Sequence, residues 1–242
     1  MQDMPEIQYS RVAARGRLLA RPTQRIEEAM PTGLHPLGLG GTRDGLLYVP
    51  ASYQPDRPAP LVLMLHGAGG TARNGLTPFL RQAEANRLLL LAPDSRLRTW
   101  DVILGGYGPD VAFIDQALAH TFSRYAVDPE HLAIEGFSDG ASYALSLGLT
   151  NGDLFTHIMA FSPGFMVPAE RHSSPHIYIS HGKNDPVLPI DRCSRRIVPQ
   201  LQRADYDVRY HEFPGFHYVP VNIAREALRW FMAGRDEIRR SL

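Results

Sequence analysis

The chain has 242 residues, of which 44% are hydrophobic, and it balances 25 basic against 25 acidic side chains. This length fits one large domain or two small ones, and the neutral balance argues against a nucleic-acid-binding protein. The single cysteine, Cys193, excludes an intrachain disulfide and a cysteine-based zinc cluster, and the longest apolar runs are far shorter than the ~20 residues of a membrane span. We therefore expect a globular, cytoplasmic protein that does not cross a membrane.

The N-terminal part of the chain begins with a segment, residues 1–12, that we interpret as a flexible arm. Five arginines lie within the first 25 positions, as in an organelle transit peptide, but arginine is common along the whole chain and acidic residues flank the stretch. After the arm, residues 17–20 and 46–48 are predicted to be strands, with the turn glycines of residues 37–42 between them. No helix separates these two strands, so we expect them to form an antiparallel edge.

From Leu61 onward, short apolar runs alternate with helical patterns. The predicted strands are 61–65, 88–92, 132–135, 157–161, 176–180 and 208–213, and the predicted helices are 111–125, 141–150, 192–204 and 221–233. Such alternation is typical of a mostly parallel sheet, here of about eight strands, with helices on both faces. Only residues 162–175 separate two late strands, which is too short for a separate cap domain. We predict one domain over residues 13–242.

The strongest local motif is Gly136-Phe-Ser-Asp-Gly140, a G-x-S-x-G pattern between a predicted strand and a predicted helix. A nucleophile elbow has this placement, because a tight strand-to-helix turn exposes the hydroxyl of its serine, here Ser138. The alternative is a glycine-rich turn in which Ser138 is the N-cap of the helix.

A serine nucleophile needs a histidine base that is held by a carboxylate, in the chain order serine, acid, histidine. Asp185 follows the strand 176–180, and His217 follows the strand 208–213, so both are expected at the carboxyl edge of the sheet, where ligands bind. Taken singly, Asp185 is equally well a turn residue before a proline, and a loop histidine is more often structural. Weaker candidates lie elsewhere: Asp191 as the acid, which we interpret as a helix N-cap, and His66, His120, His181 and His211 as the base.

Acyl transfer also requires backbone N–H donors for the developing oxyanion. The residue after the nucleophile, Asp139, offers one, and the glycine-rich loop His66-Gly-Ala-Gly-Gly70 offers a second at Ala68. A phosphate-binding loop is the alternative, but neither the P-loop nor the dinucleotide-binding pattern is present.

Four segments together resemble the serine esterases of the α/β-hydrolase fold: residues 65–69, 136–140, 180–186 and 215–217. The resemblance covers residues 45–233 and is nearest the phospholipase/carboxylesterase branch, with similarity to polyhydroxybutyrate-depolymerase-like and feruloyl-esterase-like proteins. It implies an α/β-hydrolase fold with Ser138 as nucleophile, His217 as base, Asp185 as the orienting acid, and an oxyanion hole at Ala68 and Asp139. Members of the branch often carry glutamine where this chain has Asp139.

The predicted function is that of a carboxylesterase that cleaves short-to-medium acyl or aryl esters through an acyl-serine intermediate, without cofactor or metal. Alternatives on the same triad are a thioesterase, a lysophospholipase or a polyester depolymerase, and a non-catalytic binding protein of the same fold is a more distant one. The partner is a small-molecule ester, and a homodimer is left open. The predicted pocket consists of apolar and aromatic residues near strand ends: Trp100, Tyr107, Phe165, Met166, Val187, Leu188 and Tyr218.

Overall fold

The computed structural model describes residues 11–23 and 31–239. Most of the predicted N-terminal arm, residues 1–10, therefore lies outside the described residues. The strands are β1 (Gly33–Pro36), β2 (Gly45–Val49), β3 (Ala59–Leu65), β4 (Leu89–Pro93), β5 (Val127–Phe137), β6 (His157–Phe161), β7 (His176–Gly182) and β8 (Val208–Phe213). The helices are α1 (Ala72–Gly75), α2 (Leu80–Ala83), α3 (Asp101–Leu104), α4 (Pro109–Arg124), α5 (Asp139–Thr150), α6 (Ser194–Gln202) and α7 (Val221–Arg239).

The strands form one sheet in the order β1-β2-β4-β3-β5-β6-β7-β8. The pairs β1–β2 and β2–β4 are antiparallel, and every pair from β4 to β8 is parallel. This is the expected mostly parallel sheet with an antiparallel edge. The opposite edge is β8, which among the described residues pairs only with β7 and whose residues are mostly half-buried. The carboxyl ends of the parallel strands meet at one edge of the sheet, where ligands bind in such folds.

Apolar residues of the central strands alternate between two cores, one on each face of the sheet. Leu61, Leu63 and Leu65 of β3 pack with α4, α5 and α6, whereas Val62 and Met64 pack with α1, α2 and α7. The central strands are fully buried because helices cover both faces, which explains their continuous apolar runs in the sequence.

The predicted first strand, residues 17–20, is wrong. This segment runs over the helices, and its N–H groups bond to side chains: Leu18 to the Asn151 amide oxygen, and Leu19 and Ala20 to one Asp115 carboxylate oxygen. Those bonds replace a strand ladder, so the segment joins no sheet. The first strand of the described residues is β1, which was not predicted from the sequence.

No helix or strand forms between β6 and β7, in agreement with the expected lack of a cap domain. The connection lies along α5, where the hydroxyls of Ser142, Ser146 and Thr150 form what we call the hydroxyl ladder. Each hydroxyl donates to the carbonyl four residues earlier, at 3.3, 2.7 and 2.8 Å. Each also accepts from a backbone N–H of the connection, that of residue 164, 167 or 169, at 2.9, 2.9 and 3.2 Å. The ladder holds this loop flat against the helix.

Candidate active site

The backbone at Ser138 has the strained conformation of a nucleophile elbow. Its φ of 58° and ψ of −121° lie in a region that residues other than glycine rarely adopt, and they turn the chain from β5 directly into α5. A Cβ atom on Gly136 would collide with the carbonyl of Gly140, and one on Gly140 would collide with that of Leu65, so both positions require glycine. The serine side chain makes no N-cap hydrogen bond.

The side chains of Ser138, His217 and Asp185 form one hydrogen-bonded line. His217 Nε2 lies 2.9 Å from Ser138 Oγ, and His217 Nδ1 lies 2.6 Å from Asp185 Oδ2. Because a carboxylate only accepts, Nδ1 carries the proton and Nε2 is free to accept the serine proton. Three loops at the carboxyl edge, those after β5, β7 and β8, bring together residues that are far apart in the chain.

Asp185 is held as an ionised carboxylate. Burial alone would raise its pKa, but N–H donors from Leu188, His217 and Val187 outweigh that effect and keep the pKa below its ordinary value. The backbone donors lie at 2.8 and 2.9 Å from Oδ1, which leaves Oδ2 for the histidine. The side chain of His217 is 14% exposed, whereas that of Asp185 has no exposed surface, so solvent reaches the histidine but not the acid.

The competing candidates have other partners. Asp191 lies in a short 3-10 turn and pairs with Arg195 at 2.8 Å; the N-cap of α6 is Cys193, so the N-cap interpretation of Asp191 was wrong. His120 contacts Arg124 within α4, and His211 faces Glu226 at 3.6 Å. None of the three contacts Ser138.

The loop of residues 66–70 lies beside the elbow, and a Cβ atom on Gly67 would come within 3.4 Å of the Ser138 Cβ. Among the backbone hydrogen bonds of the described residues, neither the N–H of Ala68 nor that of Asp139 is a donor. Ala68 lies outside any helix or strand, and Asp139 opens α5, where the first N–H groups have no partner within the helix. Backbone N–H groups without a partner in the described backbone are a requirement for the donors of an oxyanion hole, so Ala68 and Asp139 stay candidates for that role.

His66 organises this loop and does not contact the hydrogen-bonded line. Its Nδ1 lies 2.7 Å from the Gly67 carbonyl, and its Nε2 accepts from the Ser95 N–H at 3.0 Å. Burial lowers the pKa of His66, which favours the neutral ring that this pattern requires. The Gly69 N–H also donates to the Arg98 carbonyl at 2.7 Å, so the loop is fixed from two sides.

The prediction that Trp100 rims the pocket is wrong, because this side chain has no exposed surface. Its ring stacks on Tyr143 at 5.1 Å between centroids, and its indole N–H donates to the His66 carbonyl at 2.8 Å. Trp100 thus supports the 66–70 loop from within the core. The neighbouring Thr99, which sequence reasoning missed, donates to the Asp139 carboxylate at 2.6 Å and fixes its orientation.

The other predicted pocket residues fall into two groups. Val187 and Leu188 follow the acid, and Tyr218 follows the base and packs edge-on against Phe213. A Cβ on Gly164 would contact the Leu188 side chain, which places that residue against the loop that carries Phe165 and Met166.

The side chains of Tyr107 and Met166 face the hydrophobic core of the protein. Tyr107 donates to the Val167 carbonyl at 2.9 Å, and both side chains pack against the core. Tyr107 also lines a cavity of about 440 Å³ formed by the 96–110 loop, whose lining contains no residue of the hydrogen-bonded line.

Within the described residues, no helix is long and apolar enough to cross a bilayer, and no cluster of three metal-ligating side chains occurs.

Residues 111–228, which contain the elbow, the acid and the base, match the phospholipase/carboxylesterase family. A feruloyl esterase C from Emericella nidulans is 29% identical over 157 residues, which are 62% of this chain and 57% of that protein. An acyl-protein thioesterase 1 from Gibberella zeae is 24% identical over 121 residues, or 45% of this chain and 51% of that protein. The chain thus matches little more than half the length of these relatives.

The crystal structure of esterase PE8 superposes with a TM-score of 0.65 at 22% identity, over 80% of this chain and 99% of that one. At that identity the likeness shows the fold, in agreement with the sheet order described above. The chain therefore has the α/β-hydrolase fold, and the proteins named above that it resembles are esterases and a thioesterase.

Proposed function

We propose that the chain is a serine carboxylesterase in which Ser138, His217 and Asp185 are the catalytic triad. The observation that supports this most directly is the continuous line of 2.9 and 2.6 Å hydrogen bonds at the carboxyl edge of the sheet. A helix N-cap role for Ser138 would explain neither these two hydrogen bonds nor the strained backbone at this residue.

In the proposed reaction, Ser138 Oγ attacks the ester carbonyl carbon while His217 Nε2 takes the hydroxyl proton. The carbonyl oxygen becomes an oxyanion and accepts hydrogen bonds from the N–H groups of Ala68 and Asp139. When the C–O bond to the leaving alcohol breaks, His217 gives its proton to that alcohol. Water, deprotonated by His217, then attacks the acyl carbon. The bond from that carbon to Ser138 Oγ breaks, His217 returns its proton to Ser138 Oγ, and the acid is released. Asp185 stays ionised and stabilises the imidazolium in both steps.

The proposed substrates are esters with short-to-medium acyl or aryl groups. Within the described residues, the connection between β6 and β7 contains no helix or strand that would form a cap over the edge. Apolar side chains on the loops around the triad are those of Phe165, Val187, Leu188 and Tyr218. The match to a feruloyl esterase supports an aryl ester among the substrates. The match to an acyl-protein thioesterase supports thioester cleavage as a second candidate activity on the same triad.

A labelling experiment tests the proposal. A fluorophosphonate should form a covalent adduct on Ser138, located by mass spectrometry, and the protein should hydrolyse p-nitrophenyl esters with an optimum at short or medium chain length. Ser138→Ala should lose the adduct and lower kcat by roughly 10⁴-fold or more. Ser123→Ala, a serine on α4, is the matched control and should keep both.

An unlabelled Ser138, or a Ser138→Ala variant that retains most of its activity, would refute the assignment. Parallel assays with an ester and a thioester of the same acyl group decide between the two candidate activities. The cytoplasmic location, the homodimer and the single domain over residues 13–242 remain predictions from the sequence.

A further inference from the structure

A second histidine lies directly beneath the proposed catalytic acid. His181, near the end of β7, has no exposed surface. Its Nδ1 lies 2.7 Å from Ser194 Oγ at the start of α6, and its Nε2 lies 2.7 Å from the Leu188 carbonyl oxygen and 3.3 Å from Asp185 Oδ2. The ring therefore connects a strand, the acid-bearing loop and a helix.

These partners determine where the ring carries its proton. A carbonyl oxygen only accepts, so Nε2 must be the protonated nitrogen, and it points between the Leu188 carbonyl and Asp185 Oδ2. Nδ1 is then an acceptor for the Ser194 hydroxyl. Burial lowers the pKa of His181, in agreement with a neutral ring. Both nitrogens are thus used in one tautomer.

The acid-bearing turn is consequently held from both sides. Asp185 Oδ1 accepts the N–H of Val187 and of Leu188, while the Leu188 carbonyl accepts the N–H of His181. Asp185 Oδ2 faces one histidine on each side, His217 at 2.6 Å and His181 at 3.3 Å. Without His181, the Leu188 carbonyl would lose the ring N–H that it accepts, and Asp185 Oδ2 would have one histidine neighbour instead of two.

We propose that His181 is a positioning residue, which fixes the Asp185 carboxylate opposite His217 through the Leu188 carbonyl and through Oδ2 itself. This inference rests on the proposed esterase function. It concerns a residue that contacts no substrate and takes part in no proton transfer. Its effect on the reaction passes entirely through Asp185.

Two variants separate a positioning role from simple packing. His181→Leu fills similar space but offers neither donor nor acceptor. His181→Gln retains an N–H donor and an oxygen acceptor, which can replace Nε2 and Nδ1. For a p-nitrophenyl ester, we expect His181→Leu to lower kcat by about 10–100-fold with KM changed less than twofold, because the base loses its orientation but the pocket is intact. His181→Gln should restore kcat to within about threefold of wild type.

The pH profile gives a readout that packing alone would not change. The titratable groups around Asp185 are His217 from the β8 loop, His181 from β7 and Cys193 before α6. A displaced carboxylate stabilises the His217 imidazolium less. The acidic limb of kcat/KM should therefore move to lower pH in His181→Leu, by about half to one unit, and return in His181→Gln.

The outcomes are distinguishable. If wild type forms a fluorophosphonate adduct but folded His181→Leu keeps its kcat and pH profile, or if the Leu and Gln variants lose kcat equally, the positioning role is refuted while the esterase stands. If wild type itself neither labels nor hydrolyses esters, the function fails instead. Should His181→Leu not fold, nitrogen NMR of wild type decides: a neutral ring protonated at Nε2 supports the proposal, and one protonated at Nδ1 overturns it.

Discussion

The carboxyl group of Glu135 should destabilise the fold, and replacing it tests how the sheet tolerates a buried acid. Glu135 lies in β5, three residues before Ser138, and is 1% exposed. Neither carboxyl oxygen has a hydrogen-bond partner among the described residues, and its neighbours in register are Met64 of β3 and Met159 of β6. Burial raises the pKa of this carboxyl well above its ordinary value, so it stays protonated in the fold. We expect Glu135→Met to stabilise the protein.

Two contributions determine the size of the gain. Removing unpartnered polar oxygens from the interior is worth about 1–3 kcal/mol at any pH, and methionine fills a similar volume. The second contribution depends on pH. Glutamate in the unfolded chain ionises near pH ~4.3 but remains protonated in the fold, so each pH unit between these two pKa values lowers the wild-type free energy of unfolding by about 1.4 kcal/mol. The advantage of Glu135→Met should therefore grow as the pH rises from 5 to 7, by at most about 1.4 kcal/mol per pH unit.

Urea unfolding at pH 5, 6 and 7 measures both contributions, because the other titrating groups cancel in the difference between variant and wild type. Glu135→Gln is the matched control: it cannot ionise but still buries two polar groups, so it should show the pH-dependent gain without the constant one. A difference between Glu135→Met and wild type that stays the same at all three pH values would refute the buried, protonated acid. Equal free energies of unfolding for the two variants would refute the contribution from polar burial.

Three further predictions concern the site and its support. Asp139→Asn keeps an oxygen for the Thr99 hydroxyl but removes a negative charge beside the proposed oxyanion. The repulsion between two unit charges ~6 Å apart is about 1.4 kcal/mol at a dielectric constant of ~40, so kcat/KM for neutral esters should rise up to about tenfold. An unchanged kcat/KM would contradict this. Ser146→Ala leaves the Val167 N–H without its acceptor, so hydrogen exchange there should accelerate and the free energy of unfolding should fall by about 1–2 kcal/mol; unaltered exchange would rule out the bond as a support. Burial lowers the pKa of His157 to about 4, below its unfolded value, so the free energy of unfolding should fall by up to about 3 kcal/mol as the pH drops from 6.5 toward 4. In thermal melts at pH 7 and 4.5, His157→Phe should show a smaller drop in melting temperature than wild type. An equal drop for both proteins would argue against this contribution.

The sheet and the line of Ser138, Asp185 and His217 were accessible from sequence because their signals are local. Apolar runs marked the buried strands, and each of the three residues lies in a loop within four residues of the end of a strand. In a parallel sheet, strand ends meet at one edge, so three separate local observations combined into one expected site. The antiparallel edge was also anticipated, although β1 was assigned to the wrong residues.

The errors arise where a residue's partners lie far away in the chain. Residues 17–20 have a strand-like composition, but their N–H groups are taken by Asn151 and Asp115, which are 133 and about 96 positions away. Trp100 was placed at the rim because it follows a strand end, yet its indole donates to His66 beneath the loop. His181 was considered only as a rival base, since its contact with Leu188 depends on how the acid-bearing turn folds back. No local pattern reports such contacts.

The position of β8 has a consequence for heat tolerance. Within the described part of the chain, His217 follows a strand that is paired on one side and mostly half-buried. Ser138 follows a strand that is paired on both sides and buried over residues 131–136. The free energy of local opening is lower for such edge elements than the free energy of unfolding of the whole structure. On heating, any activity that requires His217 should disappear while circular dichroism still reports an intact sheet. The temperature of half-inactivation would then measure how firmly the last strand is attached, and strengthening β8 should extend the working range without raising the melting temperature of the core.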